Sequence, residues 1–230
     1  GVGEERTYEG AGLYVAGGTA NLTNITVANN SSAQGIYKSG GSVNVISSII
    51  WGNSSNDVGS ITYSYTNRQG SSPSGAGNIT KDPWFVDSGS GDYHLKLGSV
   101  CVNRGDPSEF DEDGTRSDMG SYIYEHTHFG PNWYVSTDGD QLTGDGSEDN
   151  PLSSIFAAVN LANEGDTVIV SEGTYTGEGN YNIYFLSKEV TVRSAGAAGS
   201  TIIDCENISG RRGLVFEPHG SYPGETEATV

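Results

Sequence analysis

Residues 12–32 read GLYVAGGTANLTNITVANNSS, and residues 35–55 read GIYKSGGSVNVISSIIWGNSS. Gly12/Gly35, Tyr14/Tyr37, Gly17/Gly40, Gly18/Gly41, Asn21/Asn44 and Asn30/Asn53 stay in step at an offset of 23. A period in the twenties predicts a solenoid, because so short a repeat can bury its apolar side only against a neighbour. Between the shared residues lie Leu13-Tyr14-Val15, Leu22, Ile25-Thr26-Val27, Ile36-Tyr37, Val43-Asn44-Val45 and Ile49-Ile50-Trp51, followed by Ile61-Thr62-Tyr63. These read as short strands punctuated by Gly and Asn. Two or three such turns would fill only about 10–15 Å of axis at the usual strand spacing. That is short for a repeat array standing alone.

Outward from the repeat the pattern changes. Residues 66–81 read as a Gly/Ser loop. Residues 82–125 lose the period and mix aromatics with turn-forming acids, which reads as a terminal cap. Residues 126–131 (HTHFGP) read as a joint, and Trp133-Tyr134-Val135 as a strand before an acidic, Gly-rich loop. Residues 153–163 (SSIFAAVNLAN) give the best helix signal. Ser153 or Ser154 can cap it, Ile155, Ala158, Val159 and Ala162 share one face, and Gly165 is placed to stop it. Further strands are predicted at 166–170, 172–175, 183–185, 190–192, 201–203 and 214–216. The chain therefore divides into 1–128, coils plus a cap, and 129–230, a helix-bearing cap plus new coils.

Composition agrees with an all-β reading. Gly is the commonest residue at 34 of 230, Pro is scarce at 7, and Tyr reaches 13. Gly and Asn suit tight turns, and aromatic and β-branched residues suit pleats. The net charge of −18 disfavours nucleic acid and anionic lipid as partners. No apolar run is long enough to span a membrane. Cys101 and Cys205 leave a disulfide open. Asn21, Asn24, Asn29, Asn30, Asn53, Asn78 and Asn207 stand in N-x-S/T sequons, most of which an Asn/Ser/Thr-rich repeat generates by itself.

Asn132-Trp-Tyr-Val135, Asp145-Gly146, Asn150-Pro151, the helix, Gly165-Asp166-Thr-Val-Ile-Val170 and Gly173-Thr-Tyr175 together resemble the N-terminal cap of right-handed parallel β-helix proteins. These are the pectate-lyase-like and cell-surface repeat proteins. Asp82-Pro83-Trp-Phe-Val-Asp87, Gly91-Asp-Tyr-His-Leu95, Gly98-Ser-Val-Cys101, Gly105-Asp106 and Met119-Gly120-Ser-Tyr122 resemble their C-terminal, choice-of-anchor-type cap. The resemblance implies an all-β, right-handed parallel β-helix with one short capping helix. Its family holds both polysaccharide lyases and non-catalytic surface proteins, so it says little about activity. The order is reversed here: the C-terminal type of cap precedes the N-terminal type. Either the pieces form one permuted molecule, or two units stand in tandem, each with one uncapped end. Bare strand edges favour association, and a head-to-tail contact that does not close gives a filament. The expected function is a non-catalytic structural subunit of an extracellular fibre or cell-surface layer, with other copies of itself as partner. The alternative is a polysaccharide-binding or lyase-like protein.

Two acidic clusters are candidate Ca²⁺ sites, since Ca²⁺ takes several oxygens from flexible acidic loops. The first comprises Asp106, Asp111, Asp113 and Asp118, with Glu112. The second comprises Asp138, Asp140, Asp145, Glu148 and Asp149. Turn capping by Asp competes with this reading, and Arg116 could pair with Asp118. A lyase base would come from Lys38, Lys81, Lys96 or Lys188, but no acidic cluster shares the strand face of Lys38. His126 and His128, spaced i, i+2, could bind metal if they lay on a strand, though surface positions at a joint are expected. His94 is expected to be structural. Tyr14, Tyr37, Trp51 and Tyr63 are expected to stack from coil to coil.

Overall fold

The computed structural model describes residues 12–71, 73–140, 143–185 and 188–216. The fold is all-β with one short helix. Among the described residues there are seven small sheets, six parallel and one antiparallel.

The first set of strands is β1 (Leu13–Val15), β2 (Thr19–Thr23), β3 (Thr26–Ala28), β4 (Ile36–Lys38), β5 (Ser42–Ile46), β6 (Ile49–Trp51), β7 (Thr62–Ser64) and β8 (Asn67–Arg68). The sheets are β1-β4, β2-β5-β7 and β3-β6-β8, all parallel. Leu13 faces Ile36, Thr19 faces Ser42 and Thr26 faces Ile49, so the 23-residue offset is the pairing register. The in-step residues touch as well. Asn44 Nδ2 donates to Asn21 Oδ1 at 2.8 Å, Asn30 Nδ2 donates to Asn53 Oδ1 at 2.7 Å, and the Tyr14 and Tyr37 rings stack 5.6 Å apart. Corners recur at matching places: Asn24 and Ser47 are left-handed (φ 50° and 48°), as are Gly18 and Gly41 (φ 74° and 73°). A Cβ on Gly41 would lie 2.3 Å from the Gly18 carbonyl oxygen, so glycine is required there by contact as well as by φ. The next pass is shorter. Asn44 faces Thr62 and Ile49 faces Asn67, an offset of 18, which carries β8 into a stretch that reads as loop from sequence.

The cap contains β9 (Phe85–Asp87) and β10 (Asp92–Leu95), which pair antiparallel. Its tail returns along the first set. Gly120 N donates to Ser47 O, Thr26 N to Ser121 Oγ and Ser121 N to Thr26 Oγ1.

The second set begins at β11 (Asn132–Val135), followed by α1 (Ile155–Leu161), β12 (Thr167–Val170), β13 (Gly173–Tyr175), β14 (Ile183–Tyr184), β15 (Thr191–Ser194), β16 (Thr201–Ile203) and β17 (Leu214–Val215). Parallel sheets β11-β12-β15, β13-β16 and β14-β17 result. Here the register is uneven: Asn132 faces Thr167, Thr167 faces Thr191, Gly173 faces Thr201 and Ile183 faces Leu214. Trp133 is buried and donates through Nε1 to Asp166 Oδ2 at 2.9 Å, and the same oxygen accepts from Asn163 N.

Helix α1 departs from its sequence reading. Ser154 caps it, its side chain accepting from Ala157 N, but the helix ends at Ala162 in an extended conformation, before Gly165. All seven helical residues are buried. An amphipathic helix would show one polar face to water. This one has protein on both sides, because the cap of the first set lies against it. One apolar cluster accordingly runs from Ile49, Phe85, Leu97, Cys101 and Met119 through Trp133, Ile155 and Val159 to Val170 and Val215, across the expected 128/129 boundary.

Candidate functional site

The seam between cap and helix is the most elaborated part of the molecule. At Gly98 (φ 80°) a Cβ would come within 2.9 Å of the Ala157 Cβ, so glycine and alanine let the two backbones approach. Asn160, fully buried, donates through Nδ2 to Ser99 O at 2.9 Å and to Val102 O at 3.4 Å. Lys188 Nζ donates to the carbonyls of Asn160 and Ala162 and so satisfies the C-terminal end of α1 in place of a glycine cap. Desolvation, with Arg104 and Arg116 nearby, lowers the Lys188 pKa to about 7.

The first acidic cluster lies in the cap, and the backbone takes up its oxygens. Asp106 Oδ1 accepts from Ser108 N and Oγ, which hold its carboxyl below the usual range. Asp113 Oδ1 accepts from Thr115 N and Oγ1, and its Oδ2 accepts from His126 N. Burial opposes these bonds, yet its pKa is also lowered. Asp111 Oδ2 accepts from Asp118 N. Asp118 is buried, and its two oxygens accept from Asn103 N at 2.6 Å and Tyr124 N at 2.5 Å. Burial, then the charges of Asp111 and Asp113, push its pKa up to about 7 against those two bonds. Among the described residues, no three acidic, His or Cys side chains converge on a point where a metal could sit. These aspartates act as turn and loop clips in the described geometry. In the second cluster, Asp145 Oδ1 accepts from Ser147 N and Asp140 Oδ1 accepts from Thr143 N.

The expectations for Arg116 and His126 need correction. Arg116 does not pair with Asp118; it donates to the Gly105 carbonyl and lies over the Tyr65 ring. His126 is buried, not a surface residue, and burial lowers its pKa. His128 Nε2 donates to the Asn132 carbonyl at 2.8 Å, and its ring meets Trp133 edge-on. The joint forms no strand, so the two imidazoles share no strand face. His94 is exposed and paired with Asp92. Lys38 lies on β4 opposite Val15, so its strand neighbour offers no carboxylate. Cys101 and Cys205 are both free; burial pushes the Cys101 thiol up to about 12.

Two surface depressions accompany this frame. One, of about 310 Å³, lies beside β6 and β8 and includes Asn53, Asp57, Arg68 and Gln69. Its charges are already matched: Asp57 Oδ2 accepts from Arg68 Nε at 3.1 Å and from Tyr63 OH at 2.7 Å. The other, of about 230 Å³, opens along the seam itself. The cap supplies Trp84 and Gly98; the second set supplies Phe156, Tyr181 and Tyr184, with Asp82 and Glu178 at the rim. In the sequence, Trp84 reads only as a cap residue and Tyr181 carries no signal. No local motif joins positions so far apart in the chain.

The outer strands complete the picture. Among the described residues, β1, β2 and β3 pair on one side only, as do β15, β16 and β17. Leu22 is half-buried where its register partner Val45 is fully buried. Ile202, Leu214 and Phe216 are exposed at the other extremity. No helix among the described residues is long and apolar enough to cross a membrane. The chain matches no known family, no curated protein and no solved structure.

Proposed function

We propose that this protein is a non-catalytic structural module: two right-handed parallel β-helical stacks joined end to end, within an extracellular fibre or cell-surface layer. Right-handedness follows the general preference of parallel crossovers. The observation that carries the reading is the buried seam. A cap that seals one stack and a helix that begins the next are buried against each other through Gly98, Ala157 and Asn160. Such a seam makes tandem units one stiff body, which is what a load-bearing rod needs and what a mobile linker would not give. Among the described residues the outer strands pair on one side only, and Leu13, Ala20, Leu22 and Val27 beside them are half-buried. Another copy, added head to tail, would continue both ladders; because the two faces differ, the contact does not close on itself.

The test is sedimentation velocity and negative-stain microscopy across micromolar concentrations. Unbranched end-to-end oligomers are expected, and Leu22→Lys, which puts a charge on the outermost face, should return them to monomers. A monomer that persists at every concentration would remove the head-to-tail reading. The stiff-seam reading stands separately on small-angle scattering, where a bent, flexible particle would count against it.

A further inference from the structure

The seam groove has a chemistry that a purely structural role does not require. Trp84 is half-buried with φ 52°, a left-handed backbone that a bulky side chain rarely adopts. The turn that enforces it is built deliberately. Asp82 Oδ1 accepts from Trp84 N at 2.9 Å, Ser99 Oγ donates to the Pro83 carbonyl at 2.6 Å, and Lys96 N donates to the Trp84 carbonyl at 2.9 Å. The result places an indole at the mouth of a groove whose other walls are Phe156, Tyr181 and Tyr184. Asp82 and Glu178, both exposed, bring two carboxylates to the rim, where Lys81 also lies. The Arg211 guanidinium, paired with Glu206, covers one face of the Tyr181 ring with its carbon 3.9 Å from the centroid, which leaves the indole of Trp84 as the main aromatic surface for a ligand.

We propose that this groove binds a small organic ammonium group, such as the trimethylammonium head of a choline-like compound. Aromatic faces attract cations through the ring quadrupole, and a quaternary ammonium gives up little hydration on entering. A compact, strongly hydrated ion gains less from the same walls. The rim carboxylates and the chain's charge of −18 add attraction for cations and repel anions. Size sets a limit too. About 230 Å³ is below the roughly 300–1,000 Å³ of pockets for drug-sized ligands, so one head group fits and a large ligand does not. Because the walls come from both stacks, the ligand would bind only where the seam is closed. The proposal does not depend on head-to-tail assembly.

The experiment is saturation-transfer NMR on the intact chain with tetramethylammonium, choline, ammonium, glucose and galacturonate, at matched ionic strength. Saturable binding of tetramethylammonium and choline in the millimolar range is expected, with ammonium and galacturonate silent. Trp84→Gly suits the left-handed backbone, so the fold should survive by circular dichroism while affinity falls at least tenfold. Glu178→Gln, an exposed change, should weaken binding a few-fold. Glucose binding as well as choline would make this a neutral polyol groove and overturn the proposal. So would quaternary ammonium binding that Trp84→Gly leaves intact, or no binding at all.

Discussion

The two sets of strands solve one problem by different means. In the first, the register repeats at 23 residues, and asparagines, tyrosines and left-handed corners stack on their own kind. In the second, facing residues are 24 to 35 positions apart (Thr167 to Thr191, Asn132 to Thr167), and the longest excursion houses α1. Regular spacing lets like side chains pair between passes. Irregular spacing gives up those pairs and depends on a large shared core instead. Substitutions at the seam should therefore cost more than substitutions in the ladder.

Gly98→Val is expected to be the most damaging change. It combines a left-handed φ with a Cβ 2.9 Å from Ala157, and strain plus overpacking sum to about 3–5 kcal/mol in urea denaturation. A cost under about 1 kcal/mol would mean that the seam yields easily. Asp118 gives the next effect. Its folded pKa is raised to about 7, so the folded state holds a proton that the unfolded chain loses near pH 4. This contribution is complete below pH 4 and vanishes as pH rises through 7, at most about 4 kcal/mol. Asp118→Asn should flatten that part of the profile. Lys188 has the opposite slope. Its folded pKa of about 7 lies below the usual 10.5, so stability rises between those pH values, and Lys188→Met should abolish the rise. Thermal melts from pH 4 to 10 on three proteins separate the two.

Smaller effects compare equivalent positions inside the regular set. Val45 is fully buried and Leu22, its register partner, is half-buried at the outer pass. Val45→Ala should cost about 2 kcal/mol and Leu22→Ala about 1 kcal/mol in the monomer. If copies stack, the Leu22→Ala deficit should grow with protein concentration while that of Val45→Ala stays constant. Smallest is Asn44→Ala, which breaks an exposed Asn21 ladder bond worth about 0.5–1 kcal/mol. Equal costs for Asn44→Ala and Gly98→Val would erase the distinction between the two sets.

Short-range chemistry was legible in the sequence. The 23-residue offset gave the register of β1 to β6, and Ser154 gave the start of α1, because repeats and caps act between residues at fixed spacing. The shortened pass that creates β8 was not legible, since Asn67-Arg68 lacks the β-branched signature and is held by Ile49 and Ile50 across the sheet. The aspartates were visible as a cluster, but their partners were not. Asp118 accepts from Asn103 and Tyr124, an assignment that depends on how the cap closes.

Local pattern by itself determined that this chain is all-β, where its helix begins, and that Asn21/Asn44, Asn30/Asn53 and Tyr14/Tyr37 meet in the first set. Tertiary structure alone decided that α1 is buried on every side, that Lys188 satisfies its last carbonyls, and that Trp84, Tyr181 and Tyr184 line one groove along a seam. The division has one physical cause. Register and capping arise from neighbours along the chain or one pass away, whereas desolvation and groove shape arise from surfaces that meet only once both sets have formed.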